Sequence, residues 1–199
     1  MNCMNYQGVV ISGLPVAGKG ELARKLSEDL GWPVLSIGDL WRQKYKEKYP
    51  NSEIGFEEFW KNVPVDEQVK MDGAAKELMS KGNKIGEFRY AIYCKELSVL
   101  LVFITANLDV RVNRAKKINK YEGKEKEKIK KILTNREEDE VKVGKQIYGE
   151  DYDYRELDQY DVILDSSDLN IEEEIRIIKG YLEGKLLKEI LKEIKFKTS

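Results

Sequence analysis

The sequence lacks histidine altogether and contains only two cysteines, Cys3 and Cys94. Without histidine the chain can form neither a histidine-based catalytic triad nor a histidine metal site, so its chemistry has to depend on lysine, arginine and carboxylate side chains. Two cysteines without the spacing of a metal site are typical of a protein that works in a reducing compartment. We therefore predict a cytoplasmic protein.

Long apolar segments and a targeting signal are also missing. The longest apolar run, residues 99–106, is far shorter than the roughly 20 residues that a transmembrane helix needs. The first residues, MNCMNYQGVVIS, contain no charged leader and no cleavage site, so we predict no signal peptide. These observations predict a protein without a membrane partner.

Net charge is small because 35 basic residues balance 36 acidic residues. The resulting charge of −1 excludes general electrostatic attraction to nucleic acid, and we expect no nucleic-acid partner. The balance is uneven along the chain, since residues 111–131 contain ten basic and three acidic residues. This basic patch favours a segment that closes over polyphosphate; a solvated helix or an RNA-contacting face is the alternative.

Apolar segments of strand length alternate with helical repeats along the 199 residues. The strand segments are residues 8–12, 33–36, 83–87, 99–105 and 161–165. The helical stripes are Leu22, Leu26 and Leu30; Met71, Ala75, Leu78 and Met79; and Ile171, Ile175, Ile178, Leu182 and Leu186. Strands that alternate with helices predict an α/β fold with a parallel sheet covered on both faces. No internal repeat or interdomain linker is visible, so we predict a single domain over residues 1–199.

The stretch GLPVAGKGELA, residues 13–23, joins the first strand segment to the first helical stripe. Its spacing of Gly13, Gly18 and Lys19 matches the phosphate-binding loop template. Glycines let the backbone wrap an anion closely, the helix N-terminus favours negative charge, and a lysine can reach the outer phosphates. The nucleotide-binding candidates are therefore Gly13, Val16, Ala17, Gly18, Lys19, Gly20 and Glu21. A glycine-rich turn that enters an ordinary helix is the alternative.

Two positions at the end of this loop depart from the template. Gly20 stands where serine or threonine normally holds magnesium, and Glu21 places a negative charge where phosphate is expected. A carboxylate that points inward would repel nucleotide, whereas one that points outward would only favour the helix N-terminus. The sequence leaves both orientations open.

The loop and the segments after it resemble those of nucleoside monophosphate kinases. The G-x-P-x-x-G-K-G pattern is similar to that of adenylate kinases, in which glycine normally follows the lysine. Residues 56–93 resemble archaeal-type cytidylate kinases through Glu57-Glu58-Phe59, Pro64, Asp66, Lys81-Gly82-Asn83, Glu87 and Arg89. The resemblance implies a three-layer P-loop NTPase fold, in which a five-stranded parallel sheet is flanked by helices.

The same resemblance assigns an acceptor side to the chain. The element SIGDLWR is similar to one whose arginine clamps the acceptor monophosphate, which implies Ser36, Asp39 and Arg42 as substrate-binding residues. It also implies that Arg89 grips the acceptor phosphate and that Glu87 orders the waters of a magnesium ion. The alternatives are a helix N-cap at Ser36 or Asp39 and a surface ion pair at the end of a strand.

A lid and a base-covering arginine are implied as well. Arg114 corresponds to the arginine that covers the donor adenine and phosphates, and Arg136 to a lid arginine. Tyr121 or Ile118 falls where the family has a lid arginine, for which Lys117 and Lys120 are substitutes, and Val143 stands where the family has another arginine. The implied subregions are an acceptor-binding region at about 37–80 and a lid at about 115–150. The implied catalytic residues are Lys19, Arg89, Arg114 and Arg136.

The function implied is transfer of the γ-phosphoryl group of ATP to CMP or dCMP, with ATP and Mg²⁺ as cofactors and nucleotides as partners of a monomer. One alternative is a kinase of the same fold with another acceptor, such as AMP or a larger nucleotide-like alcohol. Another is a non-catalytic nucleotide-binding protein, which Val16, Glu21, Phe88 and the missing arginines would favour. A third is an RNA-binding module that uses the basic patch.

Overall fold

The computed structural model of the chain describes residues 6–51 and 54–185. Its sheet has five parallel strands in the order β2-β3-β1-β4-β5. The strands are β1 (Gly8–Gly13), β2 (Val34–Ser36), β3 (Lys84–Glu87), β4 (Leu100–Thr105) and β5 (Val162–Asp165). All five predicted strand segments are thus present, which confirms the α/β fold with a parallel sheet.

Seven α-helices lie between or after the strands in the described part of the chain. They are α1 (Lys19–Leu30), α2 (Ile37–Lys48), α3 (Phe56–Lys61), α4 (Val65–Ser80), α5 (Leu108–Ala115), α6 (Lys126–Tyr148) and α7 (Ile171–Leu182). The helix α7 begins with a capping box, because the Asn170 side chain accepts from Glu173 N while Glu173 reaches back to Asn170 N. Leu186, the last residue of the predicted C-terminal stripe, lies outside the described residues.

The sheet is buried on both faces because neighbouring side chains of each strand point to opposite sides. Val9 and Ile11 belong to one apolar cluster, with Leu22 and Leu26 of α1 and Ile177 and Ile178 of α7. Val10 belongs to the other, together with Ala75 and Met79 of α4 and Val141 of α6. Helix, sheet and helix therefore form the three layers that the sequence predicts.

One helix differs from its predicted pattern. Leu78 of α4 is 36% exposed, whereas Gln68 and Asp72 are buried with Ala75 and Met79. The buried face of α4 therefore carries two polar side chains in its N-terminal half. Burial of a polar side chain is costly unless a partner is present. The N-terminal half of α4 therefore contacts polar groups at these two positions and not only the apolar core.

The carboxyl ends of the strands meet at one edge of the sheet. The register pairs Ile11 of β1 with Glu87 of β3, and Gly13 of β1 with Ile104 of β4. In open parallel sheets, ligands bind at this edge, where the strand order switches direction. A cavity of about 320 Å³ lies at the opposite, amino ends of the strands, and none of its lining residues is a sequence-predicted site residue. Among the described residues no helix is long and apolar enough to cross a bilayer.

Candidate active site

The turn between β1 and α1 can be made only by glycine at its first position. Gly13 has a φ of +141°, and an added Cβ would lie 2.0 Å from the Ile104 carbonyl oxygen of β4. Gly18 has a φ of +117° and forms the N-cap of α1. The loop therefore presses against the neighbouring strand and turns its backbone toward the carboxyl edge of the sheet, as a phosphate cradle requires.

Lys19, the first residue of α1, folds back over this loop. Its Nζ donates to the carbonyl oxygens of Gly13, at 2.6 Å, and Leu14, at 3.1 Å. Burial lowers the pKa of Lys19 to about 8, although the charges of Glu140 and Glu87 act in the opposite direction. The hydrogen-bond partners of the ammonium are two neutral oxygens, and a phosphate group placed beside it would raise its pKa again.

Two other departures from the family pattern have a structural explanation. Val16 adopts a φ of +61°, which is strained for a β-branched residue, and its side chain packs against a cluster of α5 and α6 that includes Val112 and Leu133. Phe88 is buried in the core cluster of α4 and α6, with its ring 5.4 Å from that of Tyr93. Both side chains are therefore held by packing in apolar clusters.

Glu87 ends β3 opposite the start of α1. An added Cβ on Gly20 would lie 3.6 Å from Glu87 Oε1, which is an ordinary contact, so the glycine leaves room for one small group beside this carboxylate. Ser36 Oγ donates to Glu87 Oε2 at 2.9 Å and accepts from Asp39 N at 3.3 Å. Ser36 therefore caps α2 and orients Glu87 at the same time, so the N-cap interpretation and the site interpretation both describe it.

The described residues contain no group of three or more histidine, cysteine, aspartate or glutamate side chains that could hold a metal ion. Glu87 fits a role in which a magnesium ion takes its ligands from phosphate and water, because a single carboxylate beside a glycine can order waters without coordinating the ion fully. The glycine cradle and the buried ammonium fit a nucleotide's phosphates.

Glu140 of α6 is the centre of the site, and the sequence did not predict it. Its Oε1 accepts from Arg136 Nε at 2.8 Å and lies 3.1 Å from Arg89 Nε. Its Oε2 accepts from Tyr154 Oη at 3.0 Å, and its backbone carbonyl accepts from Tyr90 Oη at 2.7 Å. One buried carboxylate thus joins the predicted arginine that follows β3 to the predicted arginine of α6.

The charges around Glu140 set its protonation. Burial raises the pKa of Glu140, but Arg89, Arg136 and Lys19 together outweigh burial and hold the pKa below its ordinary value. Lys19 in turn is influenced by Glu140, Arg136, Glu87 and Arg89. These five charges therefore form one electrostatic unit at the carboxyl edge of the sheet, in which Glu140 is ionised at neutral pH.

An absent side chain on α6 supports this unit. An added Cβ on Gly144 would lie 3.0 Å from Tyr152 Cδ1 and 3.2 Å from Tyr90 Cε1. The two tyrosine rings, whose centroids are 5.9 Å apart, can therefore close against α6 one turn after Glu140. The Tyr90 ring also faces the Arg89 guanidinium, with its centroid 5.9 Å from Cζ.

Arg42 lies apart from this unit. It forms an ion pair with Asp39 at 2.6 Å at the exposed start of α2, where 59% of the Arg42 side chain and 75% of the Asp39 side chain are exposed. Its guanidinium also lies 5.9 Å from the ring of Phe56 in α3. In this arrangement Arg42 is paired with a carboxylate that an acceptor phosphate would have to replace.

Arg114 lies on the other side of the loop. Its guanidinium donates to the Ala17 carbonyl at 2.8 Å, to Ser166 Oγ at 2.7 Å and to the Ser166 carbonyl at 2.6 Å. Arg114 therefore connects the phosphate-binding loop to the segment after β5. Glu21 is exposed on the first turn of α1, and its charge acts on Glu174 of α7.

Arg111 of α5 lies three residues before Arg114. It is buried, donates to the Ala106 carbonyl at 2.9 Å and the Pro15 carbonyl at 3.3 Å, and pairs with Glu137 of α6 at 2.6 Å. Arg111 therefore connects α5 to the phosphate-binding loop and to α6.

The structure thus brings Lys19, Glu87, Arg89 and Arg136 together and leaves Arg42 and Arg114 at two separate flanks. A signal for Glu140 was present in the sequence. The buried positions of α6 are Ile129, Leu133, Glu140, Val141 and Gly144. Glu140 therefore falls on the helical stripe that faces inward, and a charged residue on such a stripe indicates a buried partner.

Comparison with known proteins identifies the family. The sequence profile of the cytidylate kinase-like family matches residues 9–168. The chain belongs to the cytidylate kinase-like family. The match includes every residue of the electrostatic unit and both flanking arginines, and a phosphotransferase is what the family and its named members indicate.

Curated relatives of this cytidylate kinase-like chain are similar over most of their length. A cytidylate kinase of Methanopyrus kandleri is 29% identical over 195 residues, which cover 91% of this chain and 95% of the relative. A cytidylate kinase of Methanothermobacter thermautotrophicus is 30% identical over 169 residues, which cover 82% of this chain and 98% of the relative.

Solved structures show the same fold at much lower identity. An uncharacterized protein from Eubacterium ventriosum matches with a TM-score of 0.66 at 15% identity, covering 89% of this chain and 98% of that one. Shikimate kinase from Bacteroides thetaiotaomicron matches with a TM-score of 0.55 at 16% identity, covering 88% and 98%. These likenesses confirm the P-loop kinase fold and carry no information on the acceptor.

Proposed function

We propose that this cytidylate kinase-like protein is a nucleoside monophosphate kinase that transfers the γ-phosphoryl group of ATP to CMP or dCMP. The observation that carries the proposal is the convergence of Lys19, Arg89 and Arg136 at the carboxyl edge of the sheet, beside a glycine loop. Curated relatives called cytidylate kinases support the choice of acceptor. Such transfer asks the protein mainly to position two phosphates and to stabilise the charge between them.

The donor is assigned to the loop. The backbone of residues 13–20 would surround the outer phosphates, with Lys19 leaving its carbonyl partners to meet them. With a pKa of about 8, Lys19 is mostly protonated at neutral pH and supplies a positive charge. Glu87 would hold the waters of a magnesium ion, which would supply positive charge against the phosphates.

The acceptor phosphate is assigned to Arg89 and Arg42. A phosphate monoester is largely ionised at neutral pH, so its oxygen needs no general base to act as a nucleophile. The exposed Arg42–Asp39 pair would open when the acceptor phosphate arrives, because a guanidinium binds phosphate as well as it binds carboxylate. Arg136 would approach the transferred group from α6.

The experiment is a coupled assay of ADP release with ATP and a panel of acceptors. We expect turnover with CMP and dCMP, and weaker turnover with UMP and AMP. Shikimate and gluconate belong in the panel because structural neighbours carry those names. A maximum with AMP would overturn the cytidylate assignment, and binding of ATP without transfer to any acceptor would overturn the kinase assignment.

Location and assembly stay predictions. We propose a cytoplasmic monomer that works on free nucleotides, and size-exclusion chromatography with light scattering, with and without nucleotide, is the measurement that checks the monomer.

A further inference from the structure

We infer that Glu140 is a positioning residue that orients the guanidinium groups of Arg89 and Arg136 toward the phosphates. The inference rests on the proposed function of the site and goes beyond it, because it assigns a role to an acidic residue in a place where the substrates are anions.

The geometry of the contacts carries the inference. Both arginines meet the same atom, Glu140 Oε1, and both do so through Nε, at 2.8 Å for Arg136 and 3.1 Å for Arg89. A guanidinium has five N–H donors, and only one of them is on Nε. In both contacts the nitrogen is Nε and not one of the two terminal nitrogens, whose fork matches the spacing of phosphate oxygens.

The carboxylate is itself held in place from two further directions. Tyr154 donates to Oε2 at 3.0 Å, and Tyr90 donates to the Glu140 carbonyl at 2.7 Å. Glu140 is 4% exposed, so its position is fixed by packing as well. A fixed carboxylate that accepts from Arg136 Nε and lies 3.1 Å from Arg89 Nε constrains the direction in which both guanidinium groups point.

Among the side chains that the structure describes, no other carboxylate lies within 4.0 Å of either guanidinium. Arg89 is also held against Trp60 of α3, whose ring centroid is 5.4 Å from Cζ. Without Glu140, Arg89 and Arg136 would repel each other and Lys19. The carboxylate therefore allows three cations to occupy one site before the substrate arrives, and leaves a net positive charge there for phosphate.

A competing interpretation is that Glu140 occupies the place of a phosphate group and is displaced by it. The two interpretations predict opposite changes. If Glu140 orients the arginines, its loss weakens acceptor binding and turnover. If it competes with phosphate, its loss strengthens acceptor binding.

Three variants separate these possibilities. Glu140→Gln keeps the size and removes the charge, Glu140→Asp keeps the charge and withdraws the carboxylate by one methylene, and Glu138→Gln is the matched control on α6. Glu138 pairs with Arg155 at 2.7 Å on the exposed face, outside the site. We expect Glu140→Gln to lower kcat by about 100-fold, a loss typical of a misplaced electrostatic group.

Glu140→Asp distinguishes position from charge. We expect it to retain less than about a tenth of the activity, because a retracted carboxylate no longer meets both Nε atoms. We expect Glu138→Gln to match the unmodified protein. Full activity in both Glu140 variants, or in Glu140→Asp alone, would overturn the positioning role.

Calorimetric binding keeps the test independent of turnover. We expect the Kd of CMP to rise about tenfold in Glu140→Gln while the Kd of ADP, measured without metal, changes less than about threefold. Tighter CMP binding in Glu140→Gln would instead support competition with phosphate and overturn the inference. If the unmodified protein transfers phosphate to no acceptor, the proposed function fails, and binding of a phosphate monoester still decides the role of Glu140.

A variant of a residue that holds Glu140 in place provides a test in case the Glu140 variants fail to fold. Tyr154→Phe removes only the hydroxyl that fixes Glu140 Oε2, and we expect kcat to fall by about threefold to tenfold with the ADP affinity unchanged. If only the melting temperature fell in Tyr154→Phe and Glu140→Gln, with kcat per folded molecule unchanged, Glu140 would be purely structural and the inference would be wrong.

Discussion

Glu140 and Glu174 are buried to the same degree, with 4% of each residue exposed, yet their carboxyl pKa values shift in opposite directions. At Glu140 burial is outweighed by Arg89, Arg136 and Lys19, and the pKa falls. At Glu174 of α7 burial dominates, Arg114 opposes it only in part, and Glu21 adds to it, so the pKa rises to about 7.

The comparison teaches that, when two carboxylates are equally buried, their positively charged partners decide whether they are ionised. Glu140 forms direct contacts with two guanidinium groups and one hydroxyl. Arg114, the cation that acts on Glu174, instead donates its hydrogen bonds to Ala17 and Ser166. One glutamate is therefore a permanent anion within the candidate active site, and the other takes up a proton close to neutral pH.

The largest effect is expected from removing a partner of Glu140. Arg89→Met should lower kcat by about 1000-fold, since it deletes an acceptor contact and disorders Arg136. It should also lower the free energy of unfolding by on the order of 3 kcal/mol, because a buried carboxylate loses a cation. The pKa of Glu140 should rise, so the deficit should be greater at pH 8 than at pH 4.

Steady-state kinetics and urea unfolding at the two pH values check this prediction. Arg24→Met is the control, because Arg24 pairs with Glu28 at 2.5 Å on the exposed face of α1. We expect the control to change stability by less than about 0.5 kcal/mol. Activity within tenfold of the unmodified protein in Arg89→Met would contradict the assigned role of Arg89.

Glu174 should behave in the opposite way. Since its folded pKa is about 7, against 4.5 as the ordinary value, the folded state holds its proton more tightly than the unfolded state. Stability from this group is complete below the unfolded pKa and is lost as pH rises toward the folded pKa. Glu174→Gln should therefore stabilise the protein at pH 8 by up to about 3 kcal/mol and have little effect near pH 4.5.

Urea unfolding of Glu174→Gln across this pH range is the measurement. Glu172→Gln, at an exposed position of the same helix turn, is the control. An equal stability difference at both ends of the range would show that Glu174 keeps its proton, or loses it, in the same way folded and unfolded.

A smaller effect is expected where a carboxylate–arginine pair is exposed. Arg42→Lys should raise the KM for the acceptor about tenfold, because lysine lacks the fork that matches phosphate. The melting temperature should change by less than about 1 °C, since an exposed pair contributes little to stability. An unchanged acceptor KM would remove Arg42 from the acceptor site.

The smallest effect is expected at Glu21. Because its carboxylate is exposed, Glu21→Thr should change the KM for ATP by less than about threefold, and the change should shrink as salt is added. Kinetics at low and high ionic strength check this. A gain of tenfold or more in ATP affinity would mean that the carboxylate faces the phosphates when nucleotide is bound.

The sequence predicted best those features that depend on neighbours along the chain. The glycine loop, the five strand segments and the N-cap at Ser36 follow from local spacing, and all of them are present. Contacts between distant segments could not be read in this way. The pairing of Arg89 with Glu140 depends on where the segment after β3 meets α6. The burial of Asp72 in place of Leu78 depends on how α4 is rotated against α6.

The strand order itself could not be predicted from periodicity. Alternating strands and helices are compatible with several orders, whereas the position of β1 between β3 and β4 brings Gly13 beside Ile104 and Glu87 beside Ile11. The roles of Arg114 and Arg42 stay predictions, because each has partners in the structure that substrates would replace or extend.

The bare backbone of Gly144 has a consequence for how the chain can vary. A Cβ introduced there would lie 3.2 Å from the ring of Tyr90, so this ring, whose hydroxyl donates to the carbonyl of Glu140, would have to shift. Replacing the hydrogen of Gly144 by a methyl group, four residues after Glu140, would therefore act on Glu140 through the ring of Tyr90. Alanine at this position is therefore a sharper probe of the whole assembly than many substitutions made inside it.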